Sequence, residues 1–246
     1  MIKFFRHIRK SLIEKNQMCK YFKYVIGEIL LVVIGILIAL QISNWNDNRI
    51  SQNSKTQYCE QSLEEIELGI TVINVLLKRH ESDINAYNTY EAICETPNLS
   101  LDTIYKNIKK LTSSYGLASF NTKTIEVLKS TGDIKLFPNT IQTLLITLQT
   151  KQFAHKEYND TNYSMYLNLV NETYLFNSLS IESKLANQKS FSNALGFMSK
   201  LPEQLAKLHL AFSAKNYAER NGKESLNTIL TTINKLKPLI EKELKE

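Results

Sequence analysis

The sequence predicts an all-α protein: a single N-terminal transmembrane helix followed by an extracytoplasmic helical bundle. Three observations carry that expectation. The 246 residues include only 7 Gly and 4 Pro, too few turn-formers for a many-stranded β fold. Apolar residues recur at alternating steps of three and four over long stretches, which is the period of a helix face. Residues 24–42 form a hydrophobic run in which Glu28 is the only charged side chain. As a helix rising about 1.5 Å per residue, that run reaches about 28 Å, close to the hydrocarbon thickness of a bilayer.

Charge gives the run a direction. The net charge is +6, and residues 1–23 account for all of it: Lys3, Arg6, Arg9, Lys10, Lys15, Lys20 and Lys23 stand against Glu14. The rest of the chain is neutral, so the basic balance implies no nucleic-acid surface. Short basic flanks stay in the cytoplasm, which places the N-terminus inside and residues 43–246 outside. Within the tail, Ile2, Phe5, Ile8, Leu12 and Ile13 have helical spacing between basic residues, so 1–23 reads as a basic amphipathic segment suited to the anionic inner leaflet.

The run differs from a cleaved signal peptide because Leu40 and Gln41 stand where small residues would be needed. Trp45 fits an interfacial anchor on the far side, with Tyr21 and Tyr24 on the near side. The expectation is an uncleaved signal anchor. Gly35 and Ala39 make a small-xxx-small pair that lets two such helices approach closely. Glu28 has two readings: an intramembrane acid with a function, or a side chain snorkelling to headgroup water and the basic tail.

Beyond the span, Cys59, Leu63, Ile66, Ile70, Ile73, Leu77, His80, Ile84 and Tyr87 alternate by four and three, with Glu91 filling the next slot before Cys94. This predicts one long helix over 50–94, packed in a bundle or, alternatively, paired as a two-chain coiled coil. Thr96-Pro97-Asn98 ends it. Ser100 caps a short helix carrying Leu101, Ile104, Ile108 and Leu111. Another helix covers 122–131 and stops at Gly132.

Pro138 opens a stretch through about Leu179, with Ile141, Leu144, Leu145 and Leu148 first. Its polar middle, 149–162, suggests a break near Asn159-Asp160-Thr161-Asn162, before Tyr163, Tyr166, Leu167, Val170 and Tyr174 resume the pattern. A short helix around 191–199 follows. Pro202 then suits the first position of a last helix, carrying Leu205, Leu208 and Phe212. Asn221-Gly222 is a candidate interruption before Leu226, Ile229, Ile233, Leu236 and Ile240.

Several of these segments carry a resemblance. Ile2-Lys3-Phe4-Phe5-Arg6, then Tyr24-Val25-Ile26-Gly27-Glu28-Ile29, then 32–42, then Asn44-Trp45-Asn46-Asp47-Asn48-Arg49 resemble the bacterial family Domain of Unknown Function 6090, typical of Bacteroidetes. Residues 124–136, with Ser130-Thr131-Gly132, are similar to that family's helix-then-glycine segment. The resemblance implies a single-pass protein of a bacterial inner membrane with an extracytoplasmic helical region, and it brings no activity or catalytic residues with it.

Motifs for chemistry are absent. His7, His80, His155 and His209 make no pair at ligand spacing, and no zinc, phosphate-loop, dinucleotide or nucleophile-elbow pattern occurs. The sequence therefore names no catalytic, cofactor-binding or metal-ligating residue. His80, on an apolar stripe, reads as a core or interface residue, and Glu60, Glu64 and Glu67 as a solvated face. Tyr158, Tyr163, Tyr166 and Tyr174 read as core aromatics. In one helix, Cys59 and Cys94 lie about 52 Å apart, too far for a bond to each other; the alternatives are buried thiols or a bridge between two chains at Cys59. Cys19, juxtamembrane, is a weak acylation candidate. The expected role is binding, scaffolding or sensing by a membrane-anchored module whose ligand the sequence does not specify. Its expected partners are the bilayer and either a second copy or another membrane protein. A structural homodimer and an enzyme of unknown class are the alternatives.

Overall fold

The computed structural model describes residues 18–116, 119–173, 188–194 and 196–245. Every regular element among them is helical: α1 Met18–Cys94, α2 Leu101–Ile108, α3 Lys123–Thr131, a 3-10 turn Asp133–Leu136, α4 Asn139–Asn171, α5 Lys189–Ala194 and α6 Phe197–Glu243. The amphipathic pattern at 2–15, His7 and Tyr174 lie outside the described residues.

The chain separates into two compact units, Met1–Thr56 and Gln57–Glu246. In the first, α1 contains an 18-residue window of mean hydropathy 2.7 with none of its residues buried. Leu31 and Ile36 are both more than half exposed. Each such side chain kept in water forgoes about 1.5–3 kcal/mol relative to burial. A helix long and apolar enough to cross a membrane is therefore present near the N-terminus. At its far end the Arg49 guanidinium lies over the Trp45 ring, 5.5 Å from its centroid.

The second unit is a bundle of α1, α4 and α6 closed by the shorter helices. One apolar core gathers Ile66, Ile73 and Leu76 of α1, Leu128 of α3, Leu145 and Leu148 of α4, and Ile229 and Ile233 of α6. A second core gathers Tyr87 and Tyr90 of α1, Ile108 of α2, Tyr163 and Tyr166 of α4, and Leu208 and Phe212 of α6. The stripe expected on α1 is present, with Cys59, Ile66, Ile73, His80, Ile84 and Tyr87 buried, but its other slots shift by one residue. Ser62, Gly69 and Leu76 are buried, while Leu63, Ile70 and Leu77 are half-buried, and Tyr90 rather than Glu91 fills the last slot. Glu91 is exposed because its charge has no counter-ion inside the aromatic core. The chain's own α4 and α6 cover this stripe.

Local signals set most boundaries. Ser100 accepts the Thr103 amide at 3.1 Å and caps α2. Gly132 ends α3 at φ 78°, a left-handed position where a Cβ would be strained. Four expectations need correction. Helix α4 runs unbroken through Asn159-Asp160-Thr161-Asn162, because its polar middle is buried against polar partners. It ends at Asn171 rather than near Leu179, where the Thr173 amide and hydroxyl both turn back to the Val170 carbonyl. Helix α6 starts at Phe197, which places Pro202 at its sixth residue, one turn beyond the first position expected for it, where its missing amide leaves out one i→i−4 hydrogen bond. It also continues through Asn221-Gly222, for a reason that lies in the site below.

Candidate functional site

Between the two apolar cores, all three long helices turn polar side chains inward. On α4 the apolar steps Ile141, Leu145 and Leu148 continue without change of period into Gln152, His155 and Asn159, then return to Tyr163 and Tyr166, all buried. On α6, Lys215 and Glu219 occupy the same face as Phe212 and Leu226. On α1, His80 is buried one turn before Ile84 on the same stripe, and Asp83 flanks it half-buried. Helical periodicity thus brings these polar residues to one level of the bundle.

His80 Nδ1 and Glu219 Oε2 are in direct contact across the α1–α6 interface, each side chain 1% exposed. Lys215 Nζ donates to Asp83 Oδ2 and to the Thr112 carbonyl, both at 2.8 Å, and lies 3.5 Å from Glu219 Oε1. Asn159 Nδ2 donates to His155 Nε2 at 2.8 Å, which leaves the proton of a neutral imidazole on Nδ1. Phe120 meets His155 edge-on, with centroids 6.0 Å apart. Gly222 explains the continuity of α6: a Cβ there would lie 3.2 Å from His80 Cε1 and Nε2 and 3.5 Å from Asn159 Oδ1. The glycine lets α6 pass close to the histidine, and it does not break the helix.

Burial and charge oppose each other in this layer. Burial pushes the Glu219 carboxyl up, but the His80 hydrogen bond and the charge of Lys215 outweigh it and hold the group below its ordinary value. Burial, then the charge of His80, lowers His155 to about 4, so it is neutral at pH 7. The Tyr163 and Tyr166 phenols are raised, by burial first and then by the Glu219 and Asp83 carboxylates. Among the buried atoms of this layer without a hydrogen-bond partner in the protein are His80 Nε2, Gln152 Oε1, His155 Nδ1 and Asn159 Oδ1. Each orphan costs about 1–3 kcal/mol, so the layer is the least satisfied part of the interior.

The arrangement holds protons and is closed to substrates. The cavity beside Asp83, Lys215, Asn216 and Glu219 measures about 10 Å³, the space of one water centre, whereas a small-molecule site needs about 300 Å³ or more. Two surface grooves are larger. One of about 300 Å³ is lined by Gln61, Glu65, Leu68, Lys123 and Val127. The other, of about 270 Å³, is lined by Phe120, Gln152, Phe153, Lys156 and Asp160.

The residues singled out from sequence are scattered. His80 is in the core, as its stripe implied, but with an ionic partner. His209 is exposed and meets the Tyr90 hydroxyl at 3.0 Å. Glu60, Glu64 and Glu67 are exposed, and Glu67 pairs with Lys237. Tyr163 and Tyr166 are core residues, while Tyr158 is at the surface and accepts from Asn221 at 2.7 Å. Cys59 is buried and Cys94 half-buried on the same unbroken helix, which keeps them apart. Glu28 is half-exposed on the apolar stretch, and no protein atom approaches the Cβ position of Gly35 within 4 Å.

Sequence reasoning missed Asp83, His155, Asn159, Lys215 and Glu219. Their signal was polar residues falling on an unbroken core period. No group of three or more His, Cys, Asp or Glu side chains placed for a metal occurs among the described residues. Compared with known proteins, the chain matches no protein-family model, no curated protein and no solved structure.

Proposed function

We propose that the chain is a single-pass membrane protein whose helical unit acts outside the bilayer as a binding, scaffolding or sensing module. The observation that carries this reading is the 18-residue window of hydropathy 2.7 with no buried residue, beside a bundle that completes its own cores. A soluble protein would bury that window; a bilayer removes its cost. The basic residues of 1–23 favour an N-terminus in the cytoplasm, and the intact run favours an uncleaved signal anchor. With that orientation the span would sit in a bacterial inner membrane and the bundle would face outward.

The enclosure of the His80–Glu219–Lys215 layer favours a non-catalytic role for it. For the homodimer reading, the stripe of α1 is already used within the chain, so of the two faces expected to join copies the Gly35 and Ala39 face of the span is the one still open.

Alkaline carbonate extraction combined with C-terminal reporter fusions tests the proposal. The expected result is retention in the membrane pellet, activity of a periplasm-dependent reporter and silence of a cytoplasm-dependent one. Release into the supernatant would remove the span, and the opposite reporter pattern would reverse the topology.

A further inference from the structure

The two apolar cores form separate clusters, and the helices that link them meet through the polar layer. We propose that this layer is an acid-operated release. Protonation of Glu219 and His155 loosens the half of the bundle around Tyr87, Ile108, Tyr163 and Leu208, while the half around Ile73, Leu145 and Ile233 stays closed.

The charges that face one another set the direction. From α1 come His80, Asp83 and Arg79, whose guanidinium reaches Ser114 at 3.1 Å. From α4 come His155 and the phenols of Tyr163 and Tyr166. From α6 come Lys215 and Glu219. The segment after α2 contributes the Thr112 carbonyl, and the segment before α3 contributes the Phe120 ring. Among these groups Asp83 and Glu219 are the two carboxylates. A proton on Glu219 removes the acceptor of His80 and one of the two anions facing Lys215. A proton on His155 sets a buried cation on the ring, facing an Asn159 amide that already donates there and sharing the layer with the Lys215 ammonium. Gly222 places no side chain between His80 and Asn159 to screen them. Like charges in an enclosed site repel far more strongly than in water.

The sign follows from where the protons bind. His155 is lowered from 6.5 to about 4 in the folded bundle, so between those values the opened chain binds the extra proton and the closed layer does not. Closure is complete above pH 6.5 and is lost as the pH falls toward 4. Glu219, also lowered, loses its contribution in the same direction as the pH drops through its folded value. The released half would present Leu201, Leu205, Leu208 and Phe212 to the surroundings. A shift in external acidity would thereby expose an apolar surface.

Hydrogen exchange with mass spectrometry on the full chain in lipid nanodiscs, from pH 7 to pH 4, tests this. After correction for chemical exchange, amides in 84–116, 163–171 and 201–215 should exchange about tenfold faster or more at the acid end, while 59–76 and 226–240 keep their protection. His155→Gln should move the midpoint down by about half a pH unit or more. Glu219→Gln should show the open pattern already at pH 7; if that variant does not fold, His155→Gln decides alone. Loss of protection in both halves together, no change down to pH 4, or an unmoved midpoint in His155→Gln would overturn the proposal.

Discussion

The apolar stretch 29–40 holds its Leu, Ile and Val side chains outward, whereas the middle of the bundle holds Lys, Glu and His inward. Both depart from the usual arrangement, and each departure implies a different surrounding. Exposed aliphatic side chains cost nothing where the surrounding is hydrocarbon, so the first stretch suits a bilayer. Buried charges are tolerated only where partners replace water, and the second region supplies them through His80–Glu219 and Lys215–Asp83. The apolar stretch is set by composition and needs no specific neighbour. The layer is set by pairing, so every member depends on another.

That difference is open to breaking. The largest effect is expected at Glu219, which His80 and Lys215 both face. Glu219→Ala should destabilise the bundle by about 3–5 kcal/mol, read by denaturant unfolding, because the buried Lys215 ammonium loses one of its two anions and the buried His80 ring loses its partner. A loss below about 1 kcal/mol would mean that the layer is wetter than its burial suggests.

Next in size is a charge placed in the span. Ile36→Arg should raise the apparent insertion free energy by about 2.5–3.5 kcal/mol in a translocon assay and leave bundle unfolding unchanged. The same substitution would be nearly silent if the helix were an ordinary solvated surface.

The smallest test sets two buried glycines against each other. Gly→Ala in a helix interior gains about 0.5–1 kcal/mol of propensity. At Gly69 the nearest atom to an added Cβ is Phe120 Cδ1 at 4.0 Å, so Gly69→Ala should stabilise by about that much. At Gly222 the added methyl meets the His80 ring at 3.2 Å, and Glu219 holds that ring in place. Gly222→Ala should therefore destabilise by about 1 kcal/mol despite the same propensity gain. Equal signs for the two variants would show that His80 is free to move.

The contrast also explains what was legible in the sequence. The all-helical class, the long apolar helix near the N-terminus, the Ser100 cap and the Gly132 stop depend on local chemistry, which the chain states directly. The slots of the α1 stripe expected at Leu63, Ile70 and Leu77 fall one residue earlier, although Leu63 and Ile70 look more apolar than Ser62 and Gly69. Only packing chooses between those faces. The layer itself was hidden for a related reason. Gln152, His155 and Asn159 read as a solvated middle of α4, and Asn221-Gly222 as a break, because their partners are on other helices. An ion pair between residues 139 apart, such as His80 and Glu219, leaves no local trace.

The account rests most heavily on the span, and the chain carries its own probe there. Trp45 is the single tryptophan and sits at the end of the apolar run. Its fluorescence in vesicles containing lipids brominated at different depths measures where that end lies. The account predicts strong quenching by bromines near the headgroups and weak quenching by those near the acyl-chain ends. Emission like that of a water-exposed tryptophan, unaffected by brominated lipid at any depth, would contradict it.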